Sequence, residues 1–231
     1  MGNHEAVVIV CPGFFQSKDT RTFQQISQAL ADKYDVLAMD FRGHGRSTGL
    51  YTFSARESAD FEAVLGLARK DYQRIGVLAF SLGAAITINT IARHVGLVHS
   101  LIAVSAPCVF EEIEFKWWTI DAMRTGARGL EAGAGCRPGN LLLAKEKPLE
   151  NVRKLDSLPT LFIHGTDDAI VGIEHSRRLY VAASEPKGLE IIEGGDHAEA
   201  LFRNDSDRFT RLVREWFARS LSPRTTPDVK T

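Results

Sequence analysis

The chain has 231 residues, of which 44% are hydrophobic and 25% are charged, and its formal net charge is −1 at pH 7. This length and composition suit one folded domain, and so small a net charge gives no electrostatic signal for nucleic acid or an anionic membrane surface as a partner. Three cysteines, Cys11, Cys108 and Cys136, lack the spacing of a disulfide framework or a zinc site. The first residues carry no secretory-leader pattern, so we expect a cytoplasmic protein without an integral membrane segment.

The chain begins with a β-α-β pattern. Ala6–Cys11 is rich in Val and Ile, which is typical of a strand buried on both faces of a sheet. Phe23, Ile26 and Leu30 then recur at helical spacing, and residues 34–41 predict a second strand.

A second helix and two further strands follow. Ser54 and Glu57 have the spacing of a capping box, which predicts that this helix opens at Ser54. Residues 75–80 predict the third strand, residues 82–94 a helix rich in small residues, and residues 101–105 the fourth strand.

The alternation of strands and helices breaks at residues 108–155. We interpret this segment as an insertion that forms a short cap or lid, although an ordinary surface helix with a long loop would have a similar pattern. Strands are predicted again at residues 160–164 and 189–192. An apolar stripe then predicts a last helix that closes the core, through Phe209, Leu212, Val213, Trp216 and Phe217.

These elements predict an α/β fold, with a mostly parallel central sheet of about six strands and helices on both faces. We expect a single domain over residues 1–220, which includes the insertion, and a disordered polar tail over residues 221–231. Ligands of such sheets bind at the edge formed by the carboxyl ends of the strands.

Three polar residues follow predicted strands and should meet at that edge. Ser81 lies between the third strand and a helix, on a sharp turn that requires small residues two positions before and after it, here Ala79 and Gly83. Asp168 and His197 follow the last two strands. A histidine can take the proton of a serine hydroxyl, and a carboxylate can orient the histidine.

Five stretches resemble the α/β-hydrolase superfamily, which includes small esterases, monoacylglycerol-lipase-like enzymes and serine aminopeptidase-like hydrolases. They are residues 11–14, 40–47, 79–83, 164–168 and 195–197. The resemblance implies a catalytic triad of Ser81, His197 and Asp168, and an oxyanion hole made by the backbone N–H groups of Phe14 and Leu82. It also implies hydrolysis of carboxylic esters of small to medium acyl groups through an acyl-enzyme, with neither a cofactor nor a metal.

Two features depart from the family pattern. Ala79 stands where the serine motif usually has Gly. The chain also starts too late to contain the two antiparallel strands that commonly come first in this superfamily. We expect the first strand to lie exposed and able to pair with a second copy, so the chain would be a monomer or a homodimer.

Other residues near the expected edge have competing interpretations. Asp167 is the alternative acid, but in this superfamily the acid stands four residues after a histidine, which favours Asp168 over Asp167 because that histidine is His164. His164 itself is expected to be structural, and His44 and Asp40 to stabilise their own loop.

Substrate identity is the least determined property. Phe115, Trp117 and Trp118 either line an acyl pocket or anchor the insertion on the core. The same triad would also serve an amidase, a thioesterase or a cofactor-free perhydrolase. Outside enzymes, the fold can bind a ligand without turning it over.

Overall fold

The computed structural model describes residues 4–113 and 131–222. Six strands form one sheet in which every pair of neighbours is parallel. The strands are β1 (Ala6–Cys11), β2 (Asp35–Ala38), β3 (Arg74–Phe80), β4 (Ser100–Val104), β5 (Thr160–Gly165) and β6 (Lys187–Ile192). The predicted six-stranded parallel sheet is therefore confirmed.

The order of the strands across the sheet is β2-β1-β3-β4-β5-β6, so the expectation of an exposed first strand is wrong. Val7 of β1 pairs with Asp35 on one side and with Ile75 on the other. The reason is that the chain places β2 on one side of β1 and then returns to place β3 on the other side of β1. Position in the sequence therefore does not give position in the sheet. The edges are β2 and β6, whose residues are only half-buried.

Helices cover both faces of the sheet, as predicted. Those in the described ranges are α1 (Arg21–Leu30), α2 (Ser58–Asp71), α3 (Leu82–Ile91), α4 (Pro148–Asn151), α5 (Glu174–Ala182), α6 (Ala200–Asn204) and α7 (Ser206–Ser220). Alternate residues of β1 belong to two apolar cores. Val7 and Ile9 pack on the side of α2, α3 and α5, whereas Val8 and Val10 pack on the side of α1 and α7. Burial of each such side chain contributes about 1.5–3 kcal/mol.

The predicted capping box is wrong, because α2 begins at Ser58 and not at Ser54. Ser54 has a left-handed backbone (φ 82°), and its hydroxyl has no partner among the described residues. The Glu57 carboxylate instead accepts hydrogen bonds from the backbone N–H of Thr52 at 2.7 Å and from that of Arg56 at 3.2 Å. The turn before α2 thus directs Glu57 inward and uses its carboxylate to close the turn.

Smaller differences concern where elements end. β2 stops at Ala38, although residues 34–41 were expected to be extended, and α3 stops at Ile91, short of the expected residue 94. The tail from residue 223 onward lies outside the described residues. Within the described ranges, no helix combines the length and the apolar character needed to cross a bilayer.

The predicted insertion is described only in part. Residues 131–139 run beside the loop that follows β2, with isolated β-bridges from Cys136 to His44 and from Pro138 to Tyr51. Residues 114–130 lie outside the described part of the chain, and so do Phe115, Trp117 and Trp118. A cap or lid over the sheet stays a prediction.

Candidate active site

Ser81 lies in the turn between β3 and α3, with a strained backbone (φ 50°, ψ −123°). Its N–H donates to the carbonyl of Val104 at 2.8 Å, which ties the turn to β4. Gly83 is required here, because a Cβ at this position would lie 2.2 Å from the carbonyl oxygen of Pro12. Ala79 is fully buried in β3, and the turn at Ser81 forms with a methyl group in place of the usual Gly.

The side chains of Ser81, His197 and Asp168 form one hydrogen-bonded line. Ser81 Oγ lies 2.9 Å from His197 Nε2, and His197 Nδ1 lies 2.7 Å and 2.9 Å from the two carboxylate oxygens of Asp168. An ionised carboxylate only accepts hydrogen bonds, so Nδ1–H donates to Asp168 and Nε2 accepts from the serine hydroxyl. The structure thus brings together three residues that the sequence places at three strand ends.

Two glycines allow the loops after β5 and β6 to touch. A Cβ at Gly165 would lie 2.1 Å from the carbonyl oxygen of Gly195, a separation that no side chain permits. The same carbonyl accepts a hydrogen bond from the Asp167 N–H at 2.9 Å, and the Gly194 N–H donates to Thr166 Oγ1 at 2.8 Å. This close contact positions the loop of Asp168 against the loop of His197.

Of the two neighbouring aspartates, only Asp168 reaches the histidine. Its side chain is completely buried, and its Oδ1 also accepts hydrogen bonds from the N–H groups of Ile170 and Val171 at 3.0 Å and 2.9 Å. Asp167 is exposed, and its carboxylate accepts from the Thr166 hydroxyl at 3.1 Å. The geometry therefore favours Asp168 as the partner of His197.

His164 supports this carboxylate from behind. Its buried ring lies with Nε2 3.2 Å from Asp168 Oδ2 and 2.8 Å from the carbonyl oxygen of Val171, and with Nδ1 2.6 Å from Ser176 Oγ. Both ring nitrogens thus have partners, on the β5–α5 connection and in α5, in agreement with the structural role expected for His164.

The electrostatics of the pair are complementary. Burial opposes ionisation of Asp168, but the charge of His197 and the hydrogen bonds from His164 and His197 hold the pKa of Asp168 well below its usual range. Burial likewise lowers the pKa of His197, but the charge and hydrogen bond of Asp168, with a contribution from Glu199, raise it above its ordinary value. A carboxylate that stays ionised beside a histidine of raised basicity is the arrangement that activates a hydroxyl.

The loop after β1 passes close to Ser81. A Cβ at Gly13 would lie 3.0 Å from Ser81 Cβ, so the backbone that leads into Phe14 runs directly beside the serine. Among the described residues, no acceptor binds the Phe14 N–H. Leu82 is the first residue of α3, and an N–H in the first turn of a helix has no partner inside that helix. Neither N–H group has an acceptor in the described part of the chain, and an oxyanion hole made by the two stays a prediction.

His44 and Asp40 make hydrogen bonds within their own loop, as the sequence suggested, and they also hold the loop after β1 in place, which the sequence did not indicate. His44 Nε2 accepts a hydrogen bond from the Phe15 N–H at 3.1 Å, and its Nδ1 lies 3.2 Å from the Arg42 carbonyl oxygen. Burial lowers the pKa of His44, which suits a neutral ring that accepts at one nitrogen. Asp40 accepts from the Lys18 N–H at 2.7 Å and forms an ion pair with the Lys18 ammonium group.

Sequence reasoning missed Ser105, which follows β4. Ser105 is completely buried and left-handed (φ 48°), and its hydroxyl accepts a hydrogen bond at 3.0 Å from the N–H of Ala198, the residue after His197. Ala198 is left-handed as well (φ 51°). The position of Ser105 at a strand end was the available signal, but nothing in the sequence distinguishes it from an ordinary turn serine.

Aromatic side chains surround Phe14. Its ring is 40% exposed and stacks on Tyr51 with ring centroids 5.6 Å apart. Phe53 lies 6.2 Å from both rings, and Phe110 lies 5.9 Å from Phe53. An aromatic cluster of which Phe14 is an exposed member therefore lies next to the Phe14 backbone. Across the described ranges, no three His, Cys, Asp or Glu side chains are grouped so as to hold a metal ion.

Comparisons with known proteins agree with this architecture. A family model described as the alpha/beta hydrolase fold matches residues 6–119. The esterase RhEst1 from Rhodococcus sp. ECU1013 has a similar structure, with a TM-score of 0.76 at 24% sequence identity over 96% of this chain and 94% of that one. This is an α/β-hydrolase-fold protein.

Curated relatives of this α/β-hydrolase-fold protein are distant in sequence. The uncharacterized protein YfhR of Escherichia coli K12 is 26% identical over 195 residues, which are 82% of this chain and 62% of YfhR. The non-heme chloroperoxidase CPO-A1 of Kitasatospora aureofaciens is 23% identical over 83% of this chain and 85% of that protein. The chain thus spans less than two thirds of the length of YfhR, and the likeness shows the fold rather than the reaction.

We predict that Ser105→Ala lowers kcat/KM for any ester that the protein hydrolyses by roughly tenfold, because the buried Ala198 N–H loses its acceptor and His197 loses its alignment. Ser157→Ala is the matched control, since Ser157 is exposed and has a similar backbone (φ 57°). Equal kcat/KM values for the two variants would contradict a role of Ser105 in positioning His197.

Proposed function

We propose that the protein is a serine hydrolase that cleaves carboxylic esters of small to medium acyl groups through an acyl-enzyme. The observation that carries the proposal is the unbroken hydrogen-bonded line from Ser81 Oγ through His197 to the buried carboxylate of Asp168. The fold and the esterase among similar structures support a hydrolase in general. The choice of serine as nucleophile and of an ester as substrate is our inference from the site.

Acylation begins when Ser81 Oγ attacks the carbonyl carbon of the ester. His197 Nε2, 2.9 Å from that oxygen, takes the hydroxyl proton as the new C–O bond forms. Asp168 stabilises the imidazolium and keeps the Nδ1 proton in place. The tetrahedral intermediate then collapses, the bond to the alcohol oxygen breaks, and His197 returns its proton to the leaving alkoxide.

The negative charge of the tetrahedral intermediate falls on the former carbonyl oxygen. In our proposal the N–H groups of Phe14 and Leu82 donate to this oxygen. Phe14 comes directly before Phe15, whose N–H is bound by His44, and Leu82 is the first residue of α3. The partial positive charge at the start of a helix adds to the effect. A single donor of this kind typically contributes about 2.7–4 kcal/mol to transition-state stabilisation.

Deacylation repeats these steps with water. His197 takes a proton from the water molecule, the hydroxide attacks the acyl carbon, and Ser81 leaves with the proton that His197 returns. The exposed ring of Phe14 beside Tyr51 and Phe53 offers apolar contacts to one side of the substrate. This favours esters with an apolar group over highly polar ones.

The same acyl-enzyme would form from an amide or a thioester, and hydrogen peroxide can replace water as the acceptor. A panel of matched ester, thioester and amide substrates with one acyl group separates these activities. Peroxide belongs in the panel because one relative is named a chloroperoxidase. A protein that binds these substrates without turnover would fit the ligand-binding alternative.

We predict that Ser81→Ala abolishes hydrolysis of nitrophenyl esters, with a loss on the order of 10⁶-fold in kcat, because Ser81 Oγ is the one hydroxyl of the described residues that is hydrogen-bonded to His197 Nε2. Ser157→Ala, an exposed serine outside the site, should retain the activity of the unmodified protein. Full esterase activity in Ser81→Ala would rule out the proposed nucleophile.

We predict that Asp168→Asn and Asp167→Asn differ sharply. The first should lower kcat by about 10⁴-fold, because an amide no longer fixes the tautomer of His197. It should also move the acid limb of the residual activity to lower pH, since the carboxylate raises the pKa of His197 and only the neutral ring is a base. The second should lose little. If Asp167→Asn instead lowered kcat and moved the acid limb, while Asp168→Asn lost little, Asp167 would be the partner of His197.

A further inference from the structure

A buried polar contact joins the two loops on either side of Ser81 and has no part in the steps above. Gln16 lies two residues after Phe14, and Glu199 lies two residues after His197. The Gln16 Nε2–H donates to Glu199 Oε1 at 3.0 Å. The two residues are only 6% and 8% exposed. The loop that offers the Phe14 amide is thus tied to the loop that carries the base.

Among the described side chains, Gln16 is the one that donates a hydrogen bond to the Glu199 carboxylate. The Arg203 guanidinium is shared, since its Nη1 lies 3.6 Å from Glu199 Oε1 and 3.6 Å from Glu131 Oε1, beyond hydrogen-bond distance of either. Glu131 has its own donor in the backbone N–H of Thr22, at 2.9 Å. The amide of Gln16 therefore supplies the side-chain hydrogen bond to Glu199.

Burying a carboxylate between two loops costs free energy, because the charged group loses its contact with water. Replacing such groups with apolar residues of similar size is often neutral or stabilising, so burial of Glu199 is poorly explained by stability alone. Its location explains it better. Glu199 reaches across to the loop of Phe14 from the start of α6, directly behind His197.

We propose that Glu199 is a positioning residue that, through Gln16, holds the loop of the Phe14 amide in register with the loop of His197. The inference rests on the proposed function, because it assigns Glu199 a part in the same site. The inference concerns other residues than the proposed mechanism, since neither Gln16 nor Glu199 takes part in the proton transfers.

Burial raises the pKa of Glu199, although the charges of His197 and Arg203 lower it. Above that pKa Glu199 is ionised, and its charge has a second consequence. The groups that act on the His197 ring are Asp168 from the β5–α5 connection, with His164 behind it, and Glu199 from its own loop. Burial lowers the pKa of His197, whereas Asp168 and Glu199 raise it. Loss of the Glu199 charge should lower this pKa, so that the neutral base persists to lower pH. A contact with a purely structural part would leave the pH profile unchanged.

The test separates the charge from the tether. Glu199→Gln keeps the size and an acceptor oxygen, so it should shift the acid limb of kcat/KM to lower pH with a small change in kcat. Gln16→Ala removes the tether and keeps the charge, so it should lower kcat roughly tenfold with little change in KM and an unmoved acid limb. Glu193→Gln, in the same loop but exposed and without a partner among the described residues, is the control and should match the unmodified protein.

A double-mutant cycle with Gln16→Ala and Glu199→Ala gives the coupling between the two side chains. The double variant should be no slower than the slower single variant, because both changes remove one contact. Losses in kcat that multiply would overturn the proposal. The proposal would also be overturned if the acid limb of kcat/KM lay at the same pH in Glu199→Gln and in Glu193→Gln.

An NMR titration of the His197 ring in the unmodified protein and in Glu199→Gln tests the same charge effect without any substrate. A lower His197 pKa in Glu199→Gln supports the inference even if the protein hydrolyses no ester, which would count against the proposed function alone. An unchanged pKa beside normal ester hydrolysis would overturn the inference and leave the proposed function standing.

Discussion

The site depends on one buried negative charge. The Asp168 carboxylate has no access to solvent, and an ion in that position is tolerated only when its oxygens are fully paired. Backbone N–H groups of Ile170 and Val171 and the rings of His164 and His197 meet this requirement. Hydrogen bonds are directional, so a carboxylate bound by all these donors fixes both the β5–α5 connection and the orientation of the His197 ring. The placement of Ser81 against His197 follows from that orientation.

Backbone strain is concentrated around the same line of side chains. Ser81, Ser105 and Ala198 all have φ values near +50°, a region that costs non-glycine residues of order 1–3 kcal/mol each. Hydrogen bonds from Ser81 to Val104 and from Ala198 to Ser105 hold the strained turns to one another. The strained residues lie in the loops after β3, β4 and β6, and they direct these loops towards one another. Glu199 extends this arrangement to the loop after β1.

The sequence predicts those features that arise from local pattern. Val- and Ile-rich runs located the strands, with β1 placed to the residue, and the small residue required at Gly83 corresponds to a close approach of the backbone in the structure. Features that depend on long-range geometry were less accessible. The lateral position of β1 depends on crossover directions, and the Gln16–Glu199 contact joins residues 183 positions apart with no local signature. Ser54 and Glu57 failed as a capping box because a left-handed turn, invisible in the spacing, points Glu57 back to Thr52.

The central claim is that Ser81 is a nucleophile activated by His197 and Asp168. It is tested most directly by treating the folded protein with a fluorophosphonate and mapping the adduct by peptide mass spectrometry. We expect one phosphonylated residue, Ser81, because its oxygen attacks phosphorus, fluoride leaves and His197 takes the proton. We also expect much slower labelling of Asp168→Asn. An adduct on another serine, or none on folded protein, would show that Ser81 is not the activated nucleophile.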